Sequence, residues 1–178
     1  RPHMPYKALI MSILISPMIV PLIITAAGMF FFYARINLVY TFTGVILAHV
    51  ALATPFVVIT VTATLVGFDM NMVKAAQSLG ARPIRTFFKV IMPLILPGII
   101  SGALFAFITS FDEVVIVMFM ASIDQLTIPK QMWAGIRQEI SPVILCMATC
   151  LVILSIVLLT TVELLRRRSE RLRGIKSR

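Results

Sequence analysis

Charge is scarce along this chain of 178 residues. Asp, Glu, Lys and Arg together make up 13% of it, about half the share found in an ordinary soluble domain. With 60% apolar residues against about 45–50% in a soluble domain, a water-facing globule is excluded. So is a disordered chain, which is poor in apolar residues. Cysteine is scarce too, with only Cys146 and Cys150 present. They lie one helical turn apart and read as reduced small hydrophobes, so a disulfide-stapled secreted mini-protein is excluded. The chain carries no Gly-x-x-x-x-Gly-Lys-Ser/Thr phosphate loop, no His-Glu-x-x-His zinc motif and no Gly-x-Ser-x-Gly elbow, so no catalytic reading is supported. Nothing reads as a cleavable signal peptide.

What is present is long charge-free sequence. Runs of 27, 33, 22 and 23 residues lie between Lys7 and Arg35, Arg35 and Asp69, Lys89 and Asp112, and Glu139 and Glu163. A helix needs about 20 apolar residues to cross a bilayer. The runs predict an all-α, polytopic membrane protein, a single transmembrane domain over 1–178 with spans at about 8–33, 41–66, 97–120 and 142–164. A polar loop occupies 67–96, a second loop 121–141, and a basic tail 165–178. Thirteen of the sixteen Lys and Arg residues fall on the side holding both termini and the 67–96 loop, and only Arg35, Lys130 and Arg137 on the other. This asymmetry predicts that both termini and that loop are cytoplasmic. The net charge of +9 then needs no nucleic-acid partner, because topology and contact with anionic lipid heads account for it.

The spans carry breaks and small residues. Pro17 and Pro21 interrupt the first, and Pro55 sits inside the second. Membrane helices tolerate such breaks where neighbours satisfy the freed carbonyls. Gly98, Gly102, Ala106 and Ser110 recur every four residues in the third span, so they share one helix face that another helix can approach closely. That face reads either as a packing seam within the bundle or as a subunit interface.

The 67–96 loop is the most informative stretch. Met72–Leu79 has good helix formers. Gly80 offers a left-handed stop, and Pro83 suits the start of a second short helix. Pro93 and Pro97 follow before the next span. The pattern predicts a compact helix–turn–helix at the membrane surface, with Ala75 and Ala76 flanked by positive charge. It resembles the signature loop of the permease subunits of binding-protein-dependent type I ABC importers. In that family the pattern is Glu-Ala-Ala, three residues, Gly, nine residues, an aliphatic residue, one residue, an aliphatic residue and Pro. Here Ala75 and Ala76 match the alanines, Gly80 the glycine, and Val90, Met92 and Pro93 the end. Lys74 stands where the family usually has Glu.

The resemblance implies the type I importer permease fold in a bacterial inner membrane. It also implies an ATPase-coupling loop comprising Lys74, Ala75, Ala76, Leu79, Gly80, Ala81, Arg82 and Pro93. The implied partners are ABC ATPase subunits, a second permease subunit, a periplasmic substrate-binding protein and the lipid membrane. No cofactor is expected in this chain, with ATP and Mg on the ATPase subunit. Such permeases have five or six spans, so the chain is expected to lack one or two N-terminal ones, and Arg1–Lys7 reads as the loop that would follow them.

Two adjacent acids, Asp112 and Glu113, lie roughly 22 Å along the helix past Pro97. An ionisable residue in a span usually faces a cavity or a partner. The alternative is an interfacial acid paired with Arg35, Lys130 or Arg137. Neighbours on a helix are about 100° apart, so one of the two is expected to line a pathway fully. Such acids favour a cation and oppose an oxyanion, which calls for Arg or helix N-termini. Ser110–Val115, Leu126-Thr127-Ile128-Pro129 and Ile140-Ser141-Pro142 are similar to segments of spermidine/putrescine permeases. That similarity implies a polyamine or a related amino compound, such as an opine or aminobutyrate. Trp133 reads as an interfacial anchor, or as a contact with a periplasmic binding protein or with the amine chain by cation–π attraction. His49 reads as a packing histidine or a pathway residue. Glu163 is expected to pair with Arg166 and Arg167.

Overall fold

In the computed structural model, residues 5–138 and 142–172 are described. Arg1, Ile140, Ser141 and the tail from Arg173 onward lie outside the described residues. The described residues form an all-α fold, in order α1 (Lys7–Ile19), α2 (Leu22–Arg35), α3 (Phe42–Val66), α4 (Met70–Ser78), α5 (Pro83–Thr86), a π-turn (Phe87–Ile91), α6 (Met92–Phe111), α7 (Val115–Met120), α8 (Ile128–Gln138) and α9 (Pro142–Leu172). Among the described residues, three helices are long and apolar enough to cross a membrane: Phe42–Val66, the continuous Pro83–Phe111 and Pro142–Thr161.

The first expected span, 8–33, is not one helix. It is α1 and α2, bent by 111°. Pro21 has no N–H to continue α1, and its ring pushes Val20 into extended backbone at φ −75°, ψ 136°. The Pro21 carbonyl then accepts the Thr25 N–H at 3.1 Å and starts α2. Pro17 and Pro55, by contrast, stay inside α1 and α3.

The third expected span, 97–120, is also corrected at both ends. Pro93 and Pro97 lie within helix. The π-turn just before Pro93 widens the coil, which gives the ring room against the preceding carbonyls. The second helix of the loop therefore runs on into the membrane span. At the other end the helix stops at Asp112 (φ −93°, ψ 4°), and α7 restarts after Val114.

Helices α3 and α6 pack antiparallel. Gly98 lies against Thr60 and Thr64, Gly102 against Val57 and Thr60, and the Phe105 ring stacks on Phe56 with centroids 6.3 Å apart. The Thr60 and Thr64 hydroxyls donate to carbonyls of their own helix, so this contact leaves no hydroxyl unsatisfied. A buried core lies where α2, α3 and α7 meet: Ala26, Ala48, Leu52, Ile116 and Met120. At one end of the bundle the 36–41 turn meets the chain after α7. Tyr40 takes a left-handed conformation (φ 62°). Its N–H donates to the Met120 carbonyl at 2.9 Å, and its own carbonyl accepts from Gln125 Nε2 at 3.2 Å. These bonds hold a backbone conformation that a bulky residue avoids.

A β-carbon on Gly102 meets the Thr60 hydroxyl and the Val57 Cα, whereas one on Gly28 meets no atom within 4 Å. We expect Gly102→Ala to lower the thermal unfolding midpoint in detergent, through overpacking worth about 1–3 kcal/mol. Gly28→Ala should leave the midpoint unchanged or raise it. Equal responses would contradict the α3–α6 contact.

Candidate functional site

Two features hold chemistry-bearing residues: the α4 loop and the break after α6. Asp69 caps α4 by accepting the Asn71 N–H at 2.9 Å. The helix ends in a Schellman motif, with the Gly80 N–H on the Gln77 carbonyl (2.9 Å) and the Ala81 N–H on the Ala76 carbonyl (3.0 Å). Gly80 takes φ +79° to allow it. Lys74 and Ala75 are exposed, Ala76 and Ala81 half-buried, and Leu79 is 89% exposed. The Arg82 carbonyl accepts the Thr86 N–H at 2.9 Å and so anchors α5. Pro93 stands apart from this face, half-buried in the first turn of α6.

At the second feature the two adjacent acids have opposite environments. Glu113 is 6% exposed. Its two carboxylate oxygens accept the Ile116 N–H at 2.9 Å and the Val117 N–H at 3.2 Å, which caps α7. Asp112 is exposed, and among the described residues no side chain pairs with its carboxylate. It borders two cavities. One, of about 660 Å³, lies between the Pro17–Pro21 segment, Leu52 and Phe56 of α3, and the Asp112–Val115 segment. The other, of about 630 Å³, lies between α6 and α9, and among the described residues Asp112 is the charged one in its lining.

His49 reaches the break from α3. Its Nδ1 shares a hydrogen bond with Ser110 Oγ at 2.8 Å, whose direction follows the imidazole tautomer. Its Nε2 is buried without a hydrogen bond and lies 3.9 Å from Glu113 Oε2. Among the described residues neither acid pairs with Arg35, Lys130 or Arg137; Lys130 Nζ donates instead to the Ala121 carbonyl at 3.4 Å.

The fold thus brings His49, Ser110, Asp112 and Glu113 together. It does not bring Trp133 to them: Trp133 lies on α8, half exposed, and lines neither cavity holding Asp112. Of the four small residues on α6, Gly98, Gly102 and Ser110 meet α3 of this same chain, and Ala106 is half-buried. Cys146 and Cys150 are free and exposed on α9. Glu163 accepts from Arg167 Nε at 2.8 Å, whereas the Arg166 side chain lies outside the described residues. Sequence reasoning missed that the Val20–Pro21 break faces Asp112 across one cavity. The two prolines flagged the break, but nothing local told what lay opposite.

Comparison with known proteins agrees with this architecture. Residues 1–171 match the model of a family described as the inner membrane component of binding-protein-dependent transport systems. The chain belongs to this family. It is 29% identical over 164 residues to the spermidine/putrescine transport system permease protein PotC of Haemophilus influenzae, covering 92% of this chain and 64% of that protein. It is 29% identical over 161 residues to Escherichia coli PotC, covering 90% and 61%. With the Escherichia coli putrescine transport system permease protein PotI it shares 37% identity over 103 residues, covering 58% and 37%. The chain thus spans less than two thirds of the length of these relatives.

The His49–Ser110 bond joins α3 to the last turn of α6. A double-mutant cycle of Ser110→Ala with His49→Phe, read by thermal unfolding in detergent, should give a coupling of about 0.5–1.5 kcal/mol. A coupling of zero would contradict the bond's role in holding the two helices.

Proposed function

We propose that this chain is part of the permease subunit of an ATP-driven importer and passes a small cationic amine, a polyamine such as spermidine or putrescine, across the inner membrane. The observation that carries the reading is Asp112: an exposed carboxylate, unpaired among the described residues, bordering a cavity between two chain breaks. An ammonium leaving water loses several kcal/mol of hydration. A carboxylate at the cavity offsets that loss through a charge-assisted hydrogen bond, and it repels an oxyanion. The wall opposite is apolar, with Leu52 and Phe56, which suits the methylene segments between amine groups. The names of the PotC and PotI relatives support the same substrate class.

The exposed face of α4 supports the energy-coupling half of the reading. A short, capped helix with Lys74, Ala75 and Leu79 exposed fits a groove on a separate ATPase subunit, which would hold ATP and Mg and do the hydrolysis. Lys74 gives that contact a basic group where the family usually has an acid. The inside-positive charge bias supports putting α4 and both chain ends in the cytoplasm. The joined 36–41 and 120–125 segments then face the periplasm, toward a substrate-binding protein, and a second permease subunit completes the pathway. In this reading the Val20–Pro21 break is the joint at which the bundle flexes between inward- and outward-open states.

Import of putrescine into membrane vesicles should require ATP and persist without a proton gradient; import driven by the gradient alone would contradict the importer class. Asp112→Asn should raise the KM for putrescine about tenfold, equivalent to about 1.4 kcal/mol of lost binding. Gly80→Glu puts a side chain where φ is +79°, a strain of about 1–2 kcal/mol at the docking end. That variant should abolish import while membrane abundance and ATP hydrolysis by the complex remain. Normal import by Gly80→Glu would refute the coupling role of α4.

A further inference from the structure

Glu113 and its neighbour both border the cavity of about 660 Å³, but their surroundings differ. Glu113 is 6% exposed, whereas Asp112 is exposed and borders the second cavity as well. Each of its oxygens already accepts a backbone N–H, from Ile116 and from Val117. Those two groups are the second and third N–H of α7, which have no carbonyl partner within the helix. Behind the carboxylate, Ile116, Val117 and Met120 of α7 are fully buried. On its other side stands the His49 ring, whose Nε2 is 3.9 Å from Oε2 and whose Nδ1 holds Ser110, two residues before Asp112. The chain break is thus held on both flanks. Ser110 is tied to α3 before it, and Glu113 is tied to α7 after it. Asp112 is the residue left between the two ties.

We infer that Glu113 is a positioning residue and not a substrate ligand: as the cap of α7, with His49 and Ser110 on the α3 side, it fixes the break that presents the Asp112 carboxylate to the cavity. This rests on the reading of Asp112 as the cation-facing group. Adjacent acids in an apolar bundle therefore have separate tasks. One needs its charge to meet a cation. The other needs two acceptor oxygens at the start of a helix. Capping requires an acceptor and not a negative charge, so a neutral amide serves in part. An alanine at 113 offers neither oxygen and leaves both N–H groups without this partner.

The test measures putrescine import over a range of concentrations, with the full-length chain assembled with its partner subunits in membrane vesicles. Membrane abundance is followed by immunoblot. Asp112→Asn should raise KM about tenfold. Glu113→Gln should keep KM within about twofold of the parent and lower Vmax by about threefold to tenfold. Glu113→Ala should cost more Vmax than Glu113→Gln and still keep KM within about twofold of the parent. A Glu113→Gln variant whose KM rises as far as that of Asp112→Asn overturns the proposal, because charge at 113 then meets the cation. So does a Glu113→Ala variant that keeps the Vmax of the parent. If Glu113→Ala does not accumulate in the membrane, the Glu113→Gln comparison of KM still decides. An unchanged KM in Asp112→Asn overturns the assignment of Asp112 alone, and the fall of Vmax from the parent through Glu113→Gln to Glu113→Ala then judges the cap independently.

Discussion

The N–H groups of Ile116 and Val117 have to be satisfied away from water, and the Glu113 carboxylate satisfies both. An unsatisfied buried donor costs about 1–3 kcal/mol, so a helix cannot restart in an apolar bundle without such a partner. Much else follows from this contact. The cap lets α6 end at Phe111 and α7 begin at Val115. The restart turns α7 so that Ile116 and Met120 enter the core with Ala26, Ala48 and Leu52. It also leaves Asp112 outside that core, at the border of two cavities. A charged group is tolerated there because it faces open volume and not packed hydrocarbon.

The seam between α3 and α6 carries this arrangement along the membrane. Its register runs from Gly98 beside Thr64, through Gly102 beside Val57 and Phe105 on Phe56, to Ser110 on His49. Small residues at one end let the backbones approach closely, where dispersion and not the hydrophobic effect holds helices together in lipid. At the other end a hydrogen bond takes over, next to the break. The seam links the α5–α6 segment leading from the α4 loop to the site at Asp112, so movement at the loop has a continuous packed route to the cavity. The proline-induced bend between α1 and α2 supplies the facing wall. A bundle with two breaks flanking one cavity suits the alternating access proposed above, with the Val20–Pro21 bend as the joint and the α3–α6 pair as the rigid element.

The helical, membrane-embedded class was legible in the sequence because charge-free runs longer than about 20 residues match the thickness of a bilayer core and suit few water-facing folds. The loop pattern around Ala75, Ala76 and Gly80 was equally legible, since a left-handed glycine and a capped short helix are local properties. The helix breaks were legible only by half. Pro21 announces a stop, but Pro17, Pro55 and Pro97 look the same in sequence and stay inside helices. The π-turn at Phe87–Ile91, which absorbs Pro93 into a continuous helix, has no compositional mark. The stop at Asp112 has no such mark either, because Val115–Met120 is as apolar as the helix before it. Helix geometry separated the two acids, but which of them stays exposed was out of reach. That depends on how the backbone turns between them, and the contacts flanking the turn include His49, more than sixty residues away.

Whether Asp112 meets the cation inside the cavity is tested most directly by substrate protection of a nearby thiol. Thr109 lines the same cavity as Asp112 and offers a place for it. A Thr109→Cys variant, with Cys146 and Cys150 changed to Ser, is assembled in membranes and labelled with a small thiol reagent. Putrescine should slow labelling severalfold while Asp112 is present, and the protection should disappear when Asp112→Asn is added. The uncharged diol of the same chain length, which gives the carboxylate no cation to hold, should protect in neither case. Equal protection by putrescine with and without the Asp112 carboxylate, or no protection in either, would contradict it.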